Sequence, residues 1–138
     1  MKFTGRALVR GRAEGLAVAL EEPLSFWGGV DPATGLVIDP HHRRHGTSLV
    51  GRVAVLPSGR GSSSSSSVLA EAIRAGTAPA AIVLREPDPI LVLGAIVARE
   101  LYGTVLPIVV LDPTAFVEAA VAATLRVDGG IVETVEPV

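Results

Sequence analysis

Six consecutive serines, Ser62 to Ser67, follow directly on Gly59-Arg60-Gly61. A serine hydroxyl both donates and accepts hydrogen bonds and takes up a proton where its alkoxide is stabilised. A serine run is also the composition of a flexible linker, but its flanks argue against that here. Val53-Ala54-Val55-Leu56 reads as a buried strand, the two glycines allow a tight turn, and Val68, Leu69, Ala72 and Ile73 recur at helical spacing as far as Gly76. The serines therefore open a helix. Serine is a preferred N-cap, and the free amides and dipole at such an end also suit an anion. Two readings stand side by side: a plain serine-capped helix, and an anion-binding or catalytic turn. A phosphate loop is excluded because no lysine follows the Gly-rich turn. A dinucleotide fingerprint fails at Ser64, where the third Gly or Ala belongs. Arg60 can fork onto a carboxylate or pair with a neighbouring acid.

Other segments offer chemistry with less focus. His41, His42 and His45 are of metal-ligand type, but Arg43 and Arg44 stand among them and oppose a cation. They read as a solvated polar loop, with closure over an anionic substrate as the alternative. Arg85-Glu86-Pro87-Asp88-Pro89 follows a strand and opens a helix, at the edge where open α/β sheets hold ligands. Asp88 followed by Pro89 is equally an ordinary N-cap with proline in the first helical position. The stretch from Glu22 to Pro32 contains Ser25, Phe26 and Trp27 in a chain with only five aromatic residues (three Phe, one Trp, one Tyr). These rings either cap a core edge or meet a partner or substrate.

The elements that must position these groups form one α/β domain over residues 1–138. Residues 2–10 and 15–20 alternate as two strands across a Gly11-to-Gly15 turn, and Leu36-Val37-Ile38 is a third short strand. Three strand–helix units follow: 53–56 with the serine helix, 80–84 with a helix ending at Gly103, and 107–111 with a helix over 114–124. Repeated units of this kind imply parallel pairing with helices covering the sheet. Two runs, 125–127 and 131–133, form a hairpin across Asp128-Gly129-Gly130. A net charge of −2 gives no electrostatic footprint for nucleic acid. No apolar run reaches the ~20 residues that span a bilayer, and Met1 to Arg6 lack the apolar core of a signal peptide. The expectation is a cytoplasmic protein without nucleic-acid or membrane partners. The absence of cysteine excludes both a disulfide framework and a thiolate-held cluster within this chain.

Four stretches taken together resemble the aconitase X family. They are Glu22 to Pro32, Leu56 to Ser64, Gly76 to Leu84, and Glu86-Pro87-Asp88-Pro89-Ile90. The resemblance implies a swivelling β/β/α domain that closes over a large subunit, whose cysteines hold an iron–sulfur cluster. It implies no metal ligand in the small chain. The wider superfamily's Gly-Ser-Ser turn matches Gly61-Ser62-Ser63, so Ser62 is the expected proton acceptor. Arg60, Gly61, Ser63 and Ser64 are the expected substrate contacts. The superfamily's arginine after the two serines is absent, because Ser64 stands there. Two dehydrations of small carboxylates are known in the family. One converts cis-3-hydroxy-L-proline to Δ1-pyrroline-2-carboxylate, and the other converts mevalonate 5-phosphate to trans-anhydromevalonate 5-phosphate. The serine run and Phe26-Trp27 resemble the first type more. The rival class is a non-catalytic anion-binding or regulatory module.

Overall fold

A computed structural model describes residues 1–136. The strands are β1 (Lys2–Thr4), β2 (Arg6–Val9), β3 (Arg12–Ala19), β4 (Val53–Leu56), β5 (Ala81–Leu84), β6 (Ile108–Val110), β7 (Thr124–Asp128) and β8 (Ile131–Thr134). The helices are α1 (Phe26–Gly29), α2 (Ser65–Ala75), α3 (Pro89–Tyr102) and α4 (Pro113–Ala119). The strands lie in the order β1-β8-β7-β3-β4-β5-β6-β2. The middle run β3-β4-β5-β6 is parallel, and the flanking pairs are antiparallel.

That order puts β1 and β2 at opposite ends, yet only Gly5 separates them in the chain. Two Cα steps span at most about 7 Å, so the sheet must fold back until its edges meet. β3 makes the other corner: Arg12 to Leu16 pair with β7, and Ala17 to Ala19 pair with β4. The result is an antiparallel sheet facing a mostly parallel one, joined by strands that change sheet at a bend. Gly5 N–H donates to the Gly130 carbonyl at 2.7 Å. A Cβ on Gly5 would strike the Val110 carbonyl oxygen and lie 2.8 Å from Leu111 Cδ2. A side chain would therefore force the corner open.

Two cores result, and β4 and β5 serve both. Val53, Val55, Ala81 and Val83 face Leu125, Val127 and Val132 of the antiparallel sheet, with Phe116 and Ala119 of α4 closing that space. Ala54, Leu56, Ile82 and Leu84 point the other way, into a cluster with Leu69 and Ile73 of α2 and Leu91, Ala95 and Ala98 of α3. Burial on both faces explains the unbroken apolar runs of these strands. The layers are sheet, sheet and helices, which is the expected β/β/α arrangement.

The three strand–helix units and the tail hairpin are present in the expected order. Gly76 and Gly103 end their helices in the left-handed conformation. The N-terminal expectation needs correction. Residues 2–10 and 15–20 do not form a hairpin, because the first run breaks at Gly5 and pairs with β8 and β6, while β3 begins already at Arg12. Leu36 and Val37 make only isolated bridges, to Ser48 and Val30. The helix expected over 114–124 stops at Ala119.

Gly5→Ala should destabilise the purified chain by about 1–3 kcal/mol, the usual cost of forcing volume into packed structure. Gly46→Ala, where a Cβ meets nothing within 4 Å, should cost only the roughly 1–2 kcal/mol of a left-handed non-glycine residue. Denaturant unfolding of both variants checks this. An unchanged midpoint for Gly5→Ala would show that the corner tolerates a side chain.

Candidate active site

β4 and β5 end side by side, and their continuations form the two walls of a cleft of about 310 Å³. One wall is Ser58, Gly59, Arg60, Gly61, Ser62 and Ser65; the other runs from Glu86 to Leu91; Leu24 and Phe26 close the end. Open α/β sheets hold ligands at this edge because the loops leaving the carboxyl ends of the strands carry free polar groups there.

The second wall is rigid. Asp88 caps α3 through Oδ1, which accepts from the Ile90 and Leu91 N–H groups at 2.9 and 3.2 Å. Pro89 occupies the first turn, as the sequence implies. Gly59 lies so close to the Asp88 carboxylate that a Cβ there would overlap it.

The serine wall is less conventional. α2 begins at Ser65, and Ser64 in the cap position makes no side-chain cap bond. The expected serine cap is replaced by a tight turn. The Ser65, Ser66 and Ser67 N–H groups donate to the Ser62, Ser63 and Ser64 carbonyls at 3.0–3.1 Å. Ser62 Oγ accepts from the Ser64 N–H at 3.1 Å, and Ser66 Oγ donates to the Ser63 carbonyl at 2.8 Å. Gly61 enters the turn at φ +84°, a conformation other residues resist.

Of the expected contacts, Arg60, Gly61 and Ser62 line the cleft, whereas Ser63 and Ser64 are exposed outside it. The lining carries one guanidinium, Arg60, against two carboxylates, Glu86 and Asp88. Elsewhere on α2, the hydrogen bond from Arg74 lowers the Glu71 carboxyl and raises the guanidinium relative to their ordinary values. Neither residue lines the cleft.

Phe26 and Trp27 part company. Phe26 is 1% exposed and lines the cleft, while Trp27 is 59% exposed beside it. The histidine loop is not simply solvated. His41 and His45 are exposed, but His42 is buried. The Arg44 N–H donates to His42 Nδ1 at 3.0 Å, so the ring's proton sits on Nε2, 3.4 Å from the Glu22 carbonyl. Arg44 Nε is bound to the Ala19 carbonyl at 2.8 Å, and the Arg43 N–H to Glu22 Oε1 at 2.9 Å. None of these lines the cleft, so closure over substrate by Arg43 or Arg44 finds no support in their placement. Among the described residues no group of three or more His, Cys, Asp or Glu could hold a metal ion, and no helix is long and apolar enough to cross a membrane.

Sequence reasoning overlooked Ser65, the one buried serine of the run. Its signal was the helical period, since Ser65 lies four residues before Leu69 and eight before Ile73, both buried.

Residues 2–135 match the model of the aconitase X swivel domain. The chain belongs to the aconitase X swivel-domain family. It is 45% identical over 134 residues to cis-3-hydroxy-L-proline dehydratase of Hypocrea jecorina, covering 97% of this chain and 22% of that protein. Over 98 residues it is 43% identical to the phosphomevalonate dehydratase small subunit of Pyrococcus furiosus, covering 71% and 73%. Aconitase X of Thermococcus kodakaraensis in its holo form superposes with a TM-score of 0.85 at 35% identity, over 99% of each chain. The chain spans about a fifth of the length of hydroxyproline dehydratases that it matches, 22% and 18% in two of them.

Helix α3 packs tightly on the first turn of α2 at Gly94, where a Cβ would lie 2.7 Å from the Ser66 carbonyl oxygen and 3.2 Å from Ser66 Cα. Gly94→Ala should therefore push α2 away at its first turn, at a cost of about 1–3 kcal/mol. Thermal unfolding measures the cost. Hydrogen exchange of the 62–70 segment should rise in parallel, and unchanged exchange would show that the helices part elsewhere.

Proposed function

We propose that this chain is the small subunit of an aconitase X-type dehydratase, with Ser62 as its proton acceptor and cis-3-hydroxy-L-proline as its substrate. The observation that carries the reading is the place of Ser62, on a glycine-entered turn in the cleft with its Oγ facing an amide donor. An unperturbed hydroxyl is a poor base; a hydrogen bond to the charged form favours the alkoxide.

In the reaction, Ser62 takes the proton from the substrate carbon bearing the carboxylate. The electron pair left behind forms the carbon–carbon double bond as the adjacent C–O bond breaks. The hydroxyl departs as hydroxide, and the proton held by Ser62 is passed to it through solvent, so that one water leaves and the alkoxide is restored. The resulting enamine tautomerises to Δ1-pyrroline-2-carboxylate. Assistance to the leaving hydroxyl falls to the large subunit. The iron–sulfur cluster of the resemblance belongs there too, since this chain has no cysteine and its described residues do not fit one. Thiolate-held iron suits a reducing compartment, which supports a cytoplasmic assembly.

The charge of the cleft supports the choice of substrate. A phosphate monoester carries nearly two negative charges and would recruit Lys or bidentate Arg. The lining supplies only Arg60, facing Glu86 and Asp88. The only lysine, Lys2, lies in a separate groove with Arg12 and Arg126. An amino acid brings its own ammonium, for which the two carboxylates are fit partners.

The small chain alone should be inactive and should gain dehydratase activity when combined with its large subunit. Ser62→Ala in that pair should lower kcat on the order of 10²–10⁴-fold, the range of a general base, with assembly and iron content unchanged. Ser66→Ala should be mild. Turnover by the small chain alone would overturn the two-subunit reading, and a near-wild-type rate in Ser62→Ala would move the base elsewhere, with Ser63 first. A pair that stays inactive on both substrates would favour a non-catalytic anion-binding module.

On the assembled pair, kcat/KM for cis-3-hydroxy-L-proline should exceed that for mevalonate 5-phosphate by about tenfold or more, equivalent to roughly 1.4 kcal/mol in transition-state binding. A preference for the phosphorylated substrate would show that the large subunit supplies the charge this cleft lacks.

A further inference from the structure

Ser65 is 4% exposed, and the run's other serines are all half-buried or exposed. Its Oγ accepts from the Trp27 N–H at 3.0 Å and lies 3.3 Å from Ser25 Oγ. Ser25 Oγ donates to the Trp27 carbonyl at 3.0 Å. A hydroxyl has one proton to give. Ser25 spends its proton on Trp27, so the proton between the two serines comes from Ser65. The assignment is closed: both backbone groups of Trp27 are bonded, and each hydroxyl donates once and accepts once.

This small network holds the Ser62 turn from two sides. The Ser65 N–H donates to the Ser62 carbonyl at 3.0 Å. Ser25 Oγ lies 3.5 Å from where a Cβ of Gly61 would stand, against the residue that enters the turn. We infer that Ser65 and Ser25 are positioning residues that fix the Ser62 hydroxyl relative to the Phe26–Trp27 segment. They act through Ser62: Ser65 lines the cleft, but its hydroxyl is engaged by Ser25 and Trp27. The inference rests on Ser62 being the proton acceptor. It adds that the geometry of that hydroxyl is set by a segment about 40 residues away in sequence, through hydroxyls rather than through the cap of α2.

The test uses the assembled two-subunit enzyme, with rates normalised to iron-loaded complex. Ser65→Ala should lower kcat roughly 10- to 100-fold, the scale on which misplacement of about 1 Å acts, with KM within about twofold. Ser25→Ala should do the same. The Ser25→Ala/Ser65→Ala double variant should lose no more than the worse single, because either change breaks the same unit. Ser25→Thr, which keeps the hydroxyl on a half-buried residue, should recover most of the rate. Losses that multiply in the double variant, or a rise in KM with kcat unchanged, would overturn the positioning role. So would a wild-type kcat in Ser65→Ala or Ser25→Ala. The two readings fail separately. An active Ser62→Ala sinks the base assignment, whereas an inactive Ser62→Ala beside a fully active Ser65→Ala sinks only the positioning role.

Discussion

Strands β4 and β5 have no face turned to water, and the position of every polar group in the cleft follows from that. Their side chains point alternately into the core under the antiparallel sheet and into the core under α2 and α3. Nothing hydrophilic can sit along either strand, since a polar group buried there would need a partner the neighbouring apolar residues cannot offer. Chemistry is displaced to the ends of the strands. There Leu56 gives way to Pro57-Ser58-Gly59, and Leu84 to Arg85-Glu86-Pro87. Because β4 and β5 are paired in register, the two exits are brought side by side, and a cleft between them is the geometric result.

The same constraint divides the labour of the serines. Ser65 falls on the inward face of α2, where a hydroxyl persists only if fully hydrogen-bonded. Ser25 and Trp27 meet that need, and in doing so they tie the Phe26–Trp27 segment to the first turn of α2. Ser62, three residues earlier, stays half-buried in the cleft with an amide donor and room for a ligand. Ser63 and Ser64 make the turn through their backbone. The run looks uniform in sequence because serine suits a tight turn, a buried network and a cleft wall alike; only the fold separates these places.

Features governed by short-range rules were legible in the sequence. The strand–helix units, the Asp88 cap, the helix stops at Gly76 and Gly103 and the tail hairpin each follow from a few neighbouring residues. The early strands were not, because alternation fixes which face a strand buries but not its partner. Nothing local says that Gly5 is a corner; it shows only once Val110 and Gly130 arrive against it. His42 was misread for a related reason. Neighbouring arginines suggested a solvated loop, while its burial depends on the backbone of Glu22 and Arg44 folding over it. Ser65 was legible in principle, four residues before Leu69, but the composition of the run drew attention away from its periodicity.

The serine base proposed for this chain poses a problem that a second chain would address. A stabilised alkoxide exposed to water would be protonated as readily by solvent as by substrate, so its reactivity is useful only once water is excluded. The cleft of this chain is open, with Ser62 half-buried and Arg60 exposed in its wall, and Trp27 exposed next to the lining residue Phe26. A second surface must complete it. In the proposed assembly, with the base on a swivelling unit and the metal chemistry on its partner, neither half would react before they meet, and closure would both expel water and create the site. The Ser25–Ser65–Trp27 network fits that scheme. The turn that carries Ser62 is tied through Ser65 to the main chain of the segment whose indole is exposed, so under the proposed roles a surface pressing on Trp27 would bear on the segment that positions the Ser62 hydroxyl.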